Sequence, residues 1–245
     1  MPKIIVAIFL VLTFLCSCSD LNNAAKLKPD DAIKLKPDDA YKPKPDDAYK
    51  PKPDDAYKPK PDDAIAYSNR GIAYNNRGQY QRAIEEYNEA IRLKPDLAEV
   101  YSNRGIAYAK LDQHQRAIDD YNEAVRLKPD LAEAYNNKGN AYNHLGQYQH
   151  AIDDFSKAIS LKPKDATLYY NRGIAYDNLG KLQRAIEDFN EAISLKPDDA
   201  SSYTNRAGAY FMQGNKKLFC RDVQKACTLG DCKSVSYTHL TLPTN

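Results

Sequence analysis

The stretch AEVYSNRGIAYAKLDQHQRAIDDYNEAVRLKPDL, residues 98–131, is one copy of a 34-residue unit that recurs in register between residues 64 and 233 of this 245-residue chain. The copies begin at Ala64, Ala98, Ala132, Ala166 and Ala200. In the first four copies, small and aromatic residues return at the places that Gly105, Tyr108 and Tyr121 hold in the quoted one. A period of this length indicates a supersecondary unit stacked in tandem.

Each unit contains two segments of helical periodicity joined by a turn. In residues 98–111, apolar residues recur at helical spacing around Gly105, whose small size lets a partner helix approach closely. In residues 115–127, they form one stripe opposite charged residues. Glycine occupies the turn in four copies, at Gly78, Gly146, Gly180 and Gly214. Because glycine tolerates positive φ at a helix end, we expect the turn at Asp112, in the second copy, to be less ideal.

The start of each unit carries a helix-capping pattern. Asp96 and Asp130 follow the prolines that close the first two copies, and Glu99 and Glu133 come three residues later. This spacing predicts that each aspartate caps the next helix in a capping box. No strand-like alternation of any length occurs. Since one hairpin cannot bury its own apolar face, stacked neighbours must share a core, and we expect an all-α solenoid.

These residues together resemble the tetratricopeptide repeat, with tyrosine where the family has tryptophan near the start of the unit. The resemblance implies a right-handed α-solenoid of about five helix-turn-helix repeats. They are residues 64–97, 98–131, 132–165, 166–199 and 200–233. It also implies a protein that binds other proteins or peptides and has no catalytic residues of its own.

The N-terminus has the pattern of a secretory signal. A short positive start, residues 1–3, precedes the aliphatic run of residues 4–15. This run is too short to span a bilayer as a stable helix, and it fits the apolar core of a signal peptide. The alternative that this segment leaves open is an ordinary cleaved signal that releases a soluble protein.

The end of this segment resembles the bacterial lipoprotein box. Leu15 lies three residues before Cys18, and the small residue Ser17 directly precedes that cysteine. The resemblance implies a signal peptide of residues 1–17 and a lipid on Cys18, whose several acyl chains would anchor the protein stably. Ser19 follows in place of aspartate, which by the enterobacterial sorting habit favours the outer over the inner membrane. The expected location is the bacterial cell envelope, with the solenoid outside the cytoplasm.

Between the cysteine and the solenoid lies a linker, residues 18–63, that contains a second tandem array. Octapeptides such as PKPDDAYK recur through residues 27–66. Their prolines remove backbone donors and favour extended conformations, and the few apolar residues cannot form a core. We expect a disordered, semi-rigid stalk. It is either a spacer that carries the solenoid away from the membrane or a neutral product of slippage.

The last residues break every pattern described so far. The string VSYTHLTLPT, residues 235–244, resembles the translation of a sequencing adaptor. We interpret residues 234–245 as an artefact and exclude them from the fold. On this interpretation the natural C-terminus is missing, together with any capping helix or downstream domain.

Composition and motifs give little sign of chemistry. The formal net charge of +2 makes no strong case for nucleic acid. A basic residue recurs at Arg70, Arg104, Lys138, Arg172 and Arg206, with carboxylates nearby, and we favour solvated or salt-bridged positions over phosphate contacts. There is no nucleotide, hydrolase or metalloprotease motif. His114, His144 and His150 fall at three different places of the repeat. We therefore expect no metal, no cofactor and no small-molecule substrate.

Two cysteines of the fifth unit lie on the apolar stripe of its second helix. Cys220 and Cys227 are about 10.5 Å apart along a helix, too far for a bond to each other. A disulfide between Cys227 and Cys232 is feasible if the helix ends near Gly230. The alternative is that both helical cysteines are small hydrophobic residues.

A row of asparagines indicates the binding surface. In tetratricopeptide solenoids the first helix of each pair lines the concave face, and one asparagine occupies the same position there in every copy. The row is Asn69, Asn103, Asn137, Asn171 and Asn205, with Asn136, Asn140, Asn143, His144 and Tyr170 at neighbouring groove positions. It resembles the row that holds peptide backbones in O-GlcNAc transferases, since an amide both donates and accepts. The alternative is that these asparagines only brace adjacent helices.

Two classes of function compete on this evidence. The first is a non-catalytic, lipid-anchored adaptor that gathers proteins of the cell envelope through its concave groove. The second is the substrate-recruiting arm of an enzyme whose catalytic domain lies beyond the end of the sequence. A purely structural spacer is a weaker third option.

Overall fold

The computed structural model describes residues 63–231 of the chain, and this part forms ten α-helices and no strand. The helices are α1 (Ala64–Asn76), α2 (Tyr80–Leu93), α3 (Ala98–Lys110), α4 (His114–Leu127), α5 (Ala132–His144), α6 (Tyr148–Leu161), α7 (Ala166–Asn178), α8 (Leu182–Leu195), α9 (Ala200–Met212) and α10 (Lys216–Thr228). They pair in sequence, one pair to each 34-residue unit. The prediction of an all-α solenoid is confirmed.

The packing of the pairs defines an inner and an outer side. Within each pair the two helices pack along their length, and the second helix packs on the first helix of the next pair. The first helices, α1, α3, α5, α7 and α9, also contact one another directly. Because the first helices come closer to their equivalents than the second helices do, they line the concave side.

In the first four pairs, the core contains a glycine packed against an aromatic ring. A Cβ atom placed on Gly105 would lie 2.7 Å from Cε1 of Tyr121, a side chain that is almost fully buried. The same contact recurs at Gly71–Tyr87, Gly139–Phe155 and Gly173–Phe189. In the fifth unit, Ala207 replaces the glycine and Val223 replaces the ring. Alanine thus replaces glycine in the one unit of the five where valine stands in place of the ring.

The turn within the second pair departs from the other four. Glycine adopts positive φ in those turns, between 71° and 76°. Asp112 holds the place of glycine in the second pair and has φ 57°. Left-handed backbone costs an ordinary residue more than glycine, because its Cβ approaches the following carbonyl oxygen. The expectation of a less ideal turn is therefore confirmed.

The predicted capping boxes are wrong. The helices that follow Asp96 and Asp130 begin one residue later than a cap at these aspartates requires, and Leu97 and Leu131 hold the cap positions without a side-chain bond. The reason is the sequence KPDLA, in which leucine separates the aspartate from the first helical alanine. Where aspartate directly precedes that alanine, its carboxylate accepts a backbone N–H. These caps are Asp63 to Ala66, Asp165 to Thr167 and Asp199 to Ser202.

The glutamates of the predicted boxes serve another purpose. Glu99 accepts a hydrogen bond from Lys128 at 2.7 Å, and Glu133 accepts one from Lys162 at the same distance. Each pair joins the start of a first helix to the loop at the end of the same unit. All four side chains are well exposed, so water screens each bridge and its contribution to stability is small.

The recurring basic residues tie neighbouring units together. Arg104 on α3 donates to both oxygens of Asp120 on α4, at 2.8 and 2.6 Å, and also to Asn88 on α2 at 2.7 Å. Equivalent carboxylate pairs are Arg70–Glu86, Lys138–Asp154, Arg172–Asp188 and Arg206–Asp222. The prediction of salt-bridged positions is confirmed. These groups brace the interior of the solenoid and do not form a free basic surface.

Several predictions concern parts of the chain outside the described residues. They are the signal peptide, the lipid on Cys18, the octapeptide stalk and the adaptor-like tail. Within residues 63–231, no helix is long and apolar enough to cross a membrane. Cys220 on α10 is disulfide-bonded. The predicted bond between Cys227 and Cys232 involves a residue outside the described range and stays a prediction.

Candidate functional site

The asparagine row lies along the concave side, where side chains of successive first helices meet. Asn171 on α7 donates to the side-chain oxygen of Asn136 on α5 at 2.9 Å. Asn205 on α9 donates to the hydroxyl of Tyr170 on α7 at 3.0 Å. These bonds span neighbouring first helices, so equivalent positions of the repeat do share one continuous surface.

The two bonds also show that part of the row braces the solenoid. The amide of Asn205 donates a second bond to the carbonyl of Ser201, at 2.9 Å. Tyr170 is partly buried, its ring lies 6.1 Å from that of Phe189, and burial raises the pKa of its hydroxyl. Toward the C-terminal end, the bracing alternative therefore holds for Asn171 and Asn205.

At the junction of the second and third units the groove deepens into a pocket. It has a volume of about 260 Å³ and lies between α3, α4 and α5. Its lining is Ile106, Ala109, Lys110, His114, Tyr121, Asn137, Asn140, Ala141 and His144. Asn137 and Asn140 lie one helical turn apart on α5 and both face this space. We refer to this set of residues as the histidine pocket.

Two histidines stack at the mouth of the histidine pocket. The ring of His114, from the start of α4, lies 4.6 Å from the ring of His144, from the end of α5, and the planes are 7° apart. Burial and the neighbouring His144 lower the pKa of His114. Its Nδ1 atom is buried and has no hydrogen-bond partner in the described part of the chain.

Sequence reasoning placed His144 in the groove but missed His114. The two residues occupy different positions of consecutive units, 30 residues apart, so their meeting depends on how α4 packs against α5. One signal was available in the repeat alignment. Other units have tyrosine, leucine or lysine at the position of His114, namely Tyr80, Tyr148, Leu182 and Lys216.

The other predicted groove residues differ in accessibility. Asn69, at the N-terminal end of the row, is exposed, and Asn103 is partly exposed. The side-chain oxygen of Asn143 is buried, and it makes no hydrogen bond to the described residues. Asn137 and Asn140 therefore line the pocket, whereas Asn136 and Asn171 bond to each other across two helices. The side-chain oxygen of Asn143 is buried.

The histidine pocket combines an apolar base with polar groups at its mouth. Tyr121 and Ala141 are buried, and Ile106 and Ala109 form a partly exposed wall. Two amides, two imidazoles and one ammonium group complete the lining, which contains no carboxylate. Amides and imidazoles can both donate and accept, so this set suits a polar segment of a partner.

Family profiles match the repeat region. The profile described as "Tetratricopeptide repeat" matches residues 98–131, 132–165 and 166–199. A second profile, described as "TPR repeat", matches residues 73–112. Together they span residues 73–199, more than half of the chain. No curated protein matches the sequence significantly.

Solved structures with the same fold include two of MamA and one of YrrB. MamA from Desulfovibrio magneticus RS-1 is 25% identical with a TM-score of 0.66, over 69% of this chain and 96% of that one. A second MamA structure is 28% identical with a TM-score of 0.64, over 74% and 98%. YrrB, described as a TPR protein with an unusual peptide-binding site, is 22% identical with a TM-score of 0.63, over 72% and 91%.

Proposed function

The chain belongs to the tetratricopeptide repeat family, and we propose that it is a non-catalytic scaffold that holds extended segments of partner proteins in its concave groove. The repeat fold and its likeness to MamA and YrrB support a protein-interaction scaffold. At 22% identity, the likeness to YrrB supports only the assignment of the fold. Peptide binding is proposed from the side chains that line the groove.

The observation that carries the proposal is a contrast between two pairs of asparagines on the concave side. Asn171 and Asn205 use their amide donors within the protein. Asn137 and Asn140 line an open pocket on the same surface, and no hydrogen bond to another residue of the range 63–231 engages their side-chain donors. An amide pair of this kind can bind the N–H and C=O groups of an extended backbone whatever its sequence.

We place this scaffold in the bacterial cell envelope, held by a lipid on Cys18. The support is the sequence of residues 1–18, in which a short apolar run ends in a lipoprotein-like box. The octapeptide array then serves as a spacer between the anchor and the repeats. On this proposal the partners are other envelope proteins with exposed, extended segments.

The test uses a random-peptide display library selected on the wild-type chain. The affinities of selected peptides are then measured by fluorescence anisotropy for two double variants. Asn137→Ala with Asn140→Ala should bind about 5- to 150-fold more weakly, because two hydrogen bonds of about 0.5–1.5 kcal/mol each are lost. Thermal unfolding of this variant should be unchanged.

The matched control is Asn171→Ala with Asn205→Ala, which removes bracing bonds from the same row. This control should unfold at a lower temperature and should lose less affinity, provided that the measurement is made well below its unfolding transition. If the pocket variant is folded and binds every selected peptide as the wild type does, the groove is not the binding surface.

A further inference from the structure

We propose that the histidine pocket receives the carboxylate side chain of an acidic residue within a bound peptide. This inference rests on the proposed function and names the class of partner: an extended segment with a glutamate or aspartate at the place where it crosses the junction of the second and third units. A pocket of this kind would recognise a charged side chain, whereas the asparagine row can recognise only the peptide backbone.

The polar groups of the pocket occur together at this junction and at no other one in the described repeats. Position by position, the equivalents of His114 are tyrosine, leucine or lysine, and those of Asn140 are isoleucine or glycine. The equivalents of His144 are asparagine, lysine or methionine. A role in stacking the repeats would call for the same residues at each junction. Their combination at one junction instead indicates a local binding site.

The ionisable side chains that line the pocket are one lysine and two histidines, and none of them can carry a negative charge. They come from each helix around it: Lys110 from α3, His114 from α4 and His144 from α5. Within residues 63–231, the carboxylate that lies within 4 Å of an imidazole of the pocket is that of Asp112, whose Oδ1 is 3.8 Å from Nε2 of His114. Its side chain is 96% exposed, so water screens its charge and leaves the pocket itself without an anion.

A bound carboxylate would complete this arrangement. Stacked imidazoles disfavour two positive charges side by side, and an anion between them and Lys110 removes that penalty. The partly apolar walls of Ile106 and Ala109 strengthen the attraction by lowering the local dielectric constant. The amides of Asn137 and Asn140 can donate further hydrogen bonds to the same group.

The dimensions fit a side chain of a continuing peptide. The pocket has a volume of about 260 Å³. This is enough for one carboxylate side chain and a few waters. The row extends on both sides of the pocket, to Asn103 and Asn171, so a peptide has room to continue in both directions. These features favour an internal side chain over a chain terminus.

The experiment compares three pentapeptide probes with the full chain at pH 6, followed by NMR. The first is acetylated and amidated and has a central glutamate between alanines. The second has glutamine in its place. The third has the glutamine and a free C-terminal carboxylate. We expect the first to bind about fivefold or more tightly than the others, since hydrogen bonds to charged groups are stronger than neutral ones.

Two histidine variants test whether the preference for glutamate depends on the histidine pocket. His144→Gln should remove the preference for glutamate. His150→Gln should retain it, because His150 lies outside the pocket and stacks on Tyr142 at 5.1 Å. The glutamate probe should also raise the pKa of His114, so that the affinity of the probe falls as pH rises through the titration of this imidazole.

The outcomes separate this inference from the proposed function. Equal binding of the glutamate and glutamine probes, or tighter binding of the free C-terminus, overturns the carboxylate pocket and leaves peptide binding intact. A glutamate preference that survives His144→Gln also overturns it. Failure of the selected peptides to bind the groove at all is the separate result that contradicts the proposed function.

Discussion

Adding one methyl group at a packed glycine should destabilise the solenoid, although the same change elsewhere in a helix stabilises it. At Gly139, a new Cβ would lie 2.7 Å from Cε1 and 2.9 Å from Cδ1 of Phe155. Phe155 has no exposed surface, so its ring cannot move aside without displacing its own neighbours. Overpacking of this kind costs about 1–3 kcal/mol. The better helix propensity of alanine offsets about 1 kcal/mol of this cost.

We therefore expect Gly139→Ala to lower the free energy of unfolding by up to about 2 kcal/mol. The matched control is Gly208→Ala in α9, where a Cβ meets no atom within 4 Å. This variant should gain about 1 kcal/mol from helix propensity alone. Urea unfolding of the full chain, followed by far-UV circular dichroism, measures both values.

A double variant tests the cause of the loss. Gly139→Ala with Phe155→Val reproduces the pair Ala207 and Val223 of the fifth unit. In the Phe155→Val background, the change to alanine should no longer be destabilising. If Gly139→Ala is as stable as Gly208→Ala, or if its cost persists beside valine, close packing of glycine on the ring is not what fixes the distance between the paired helices.

Three further predictions concern the bracing network, pH and the anchor. Arg172→Met should cost about 3–5 kcal/mol in urea unfolding because it leaves Asp188 buried without its partner, and a second change, Asp188→Leu, should restore part of the loss. The pKa of His114 is lowered from 6.5 by burial and by His144. The unfolded chain therefore takes up a proton first as pH falls below this value, so stability should decrease there and His114→Gln should flatten the decrease. Radiolabelled palmitate should label the protein in bacterial cells, and Cys18→Ala should abolish the labelling; persistent label would contradict lipidation at this residue.

Much of the fold follows from the repeat itself. A fixed period aligns equivalent residues, so Gly105 and Tyr121 in one unit indicate what packs in the next. The same alignment predicted the turn glycines and the strained turn at Asp112. The failed capping boxes at Asp96 and Asp130 show the limit of this reasoning, because one intervening leucine moves the cap position away from the carboxylate.

The candidate site depended on contacts that a repeat alignment does not contain. His114 and His144 occupy different positions of consecutive units, and only the packing of α4 on α5 brings their rings together. The repeat alignment identifies the asparagine row as a set of equivalent positions on the first helices. Whether Asn137 faces an open pocket while Asn171 donates to Asn136 depends on side-chain geometry at each junction. Equivalent positions therefore predicted the surface but not which of its members remain available to a partner.

The most direct measurement of the central claim is site-specific photo-crosslinking of selected peptides. One benzophenone side chain is placed at Ile106, on the wall of the histidine pocket, and in a separate variant at Glu187, an exposed position on the outer helix α8. Scaffolding through the concave groove predicts crosslinks from position 106 and none from position 187. Crosslinks from position 187 alone would place the partner on the convex face and contradict the account.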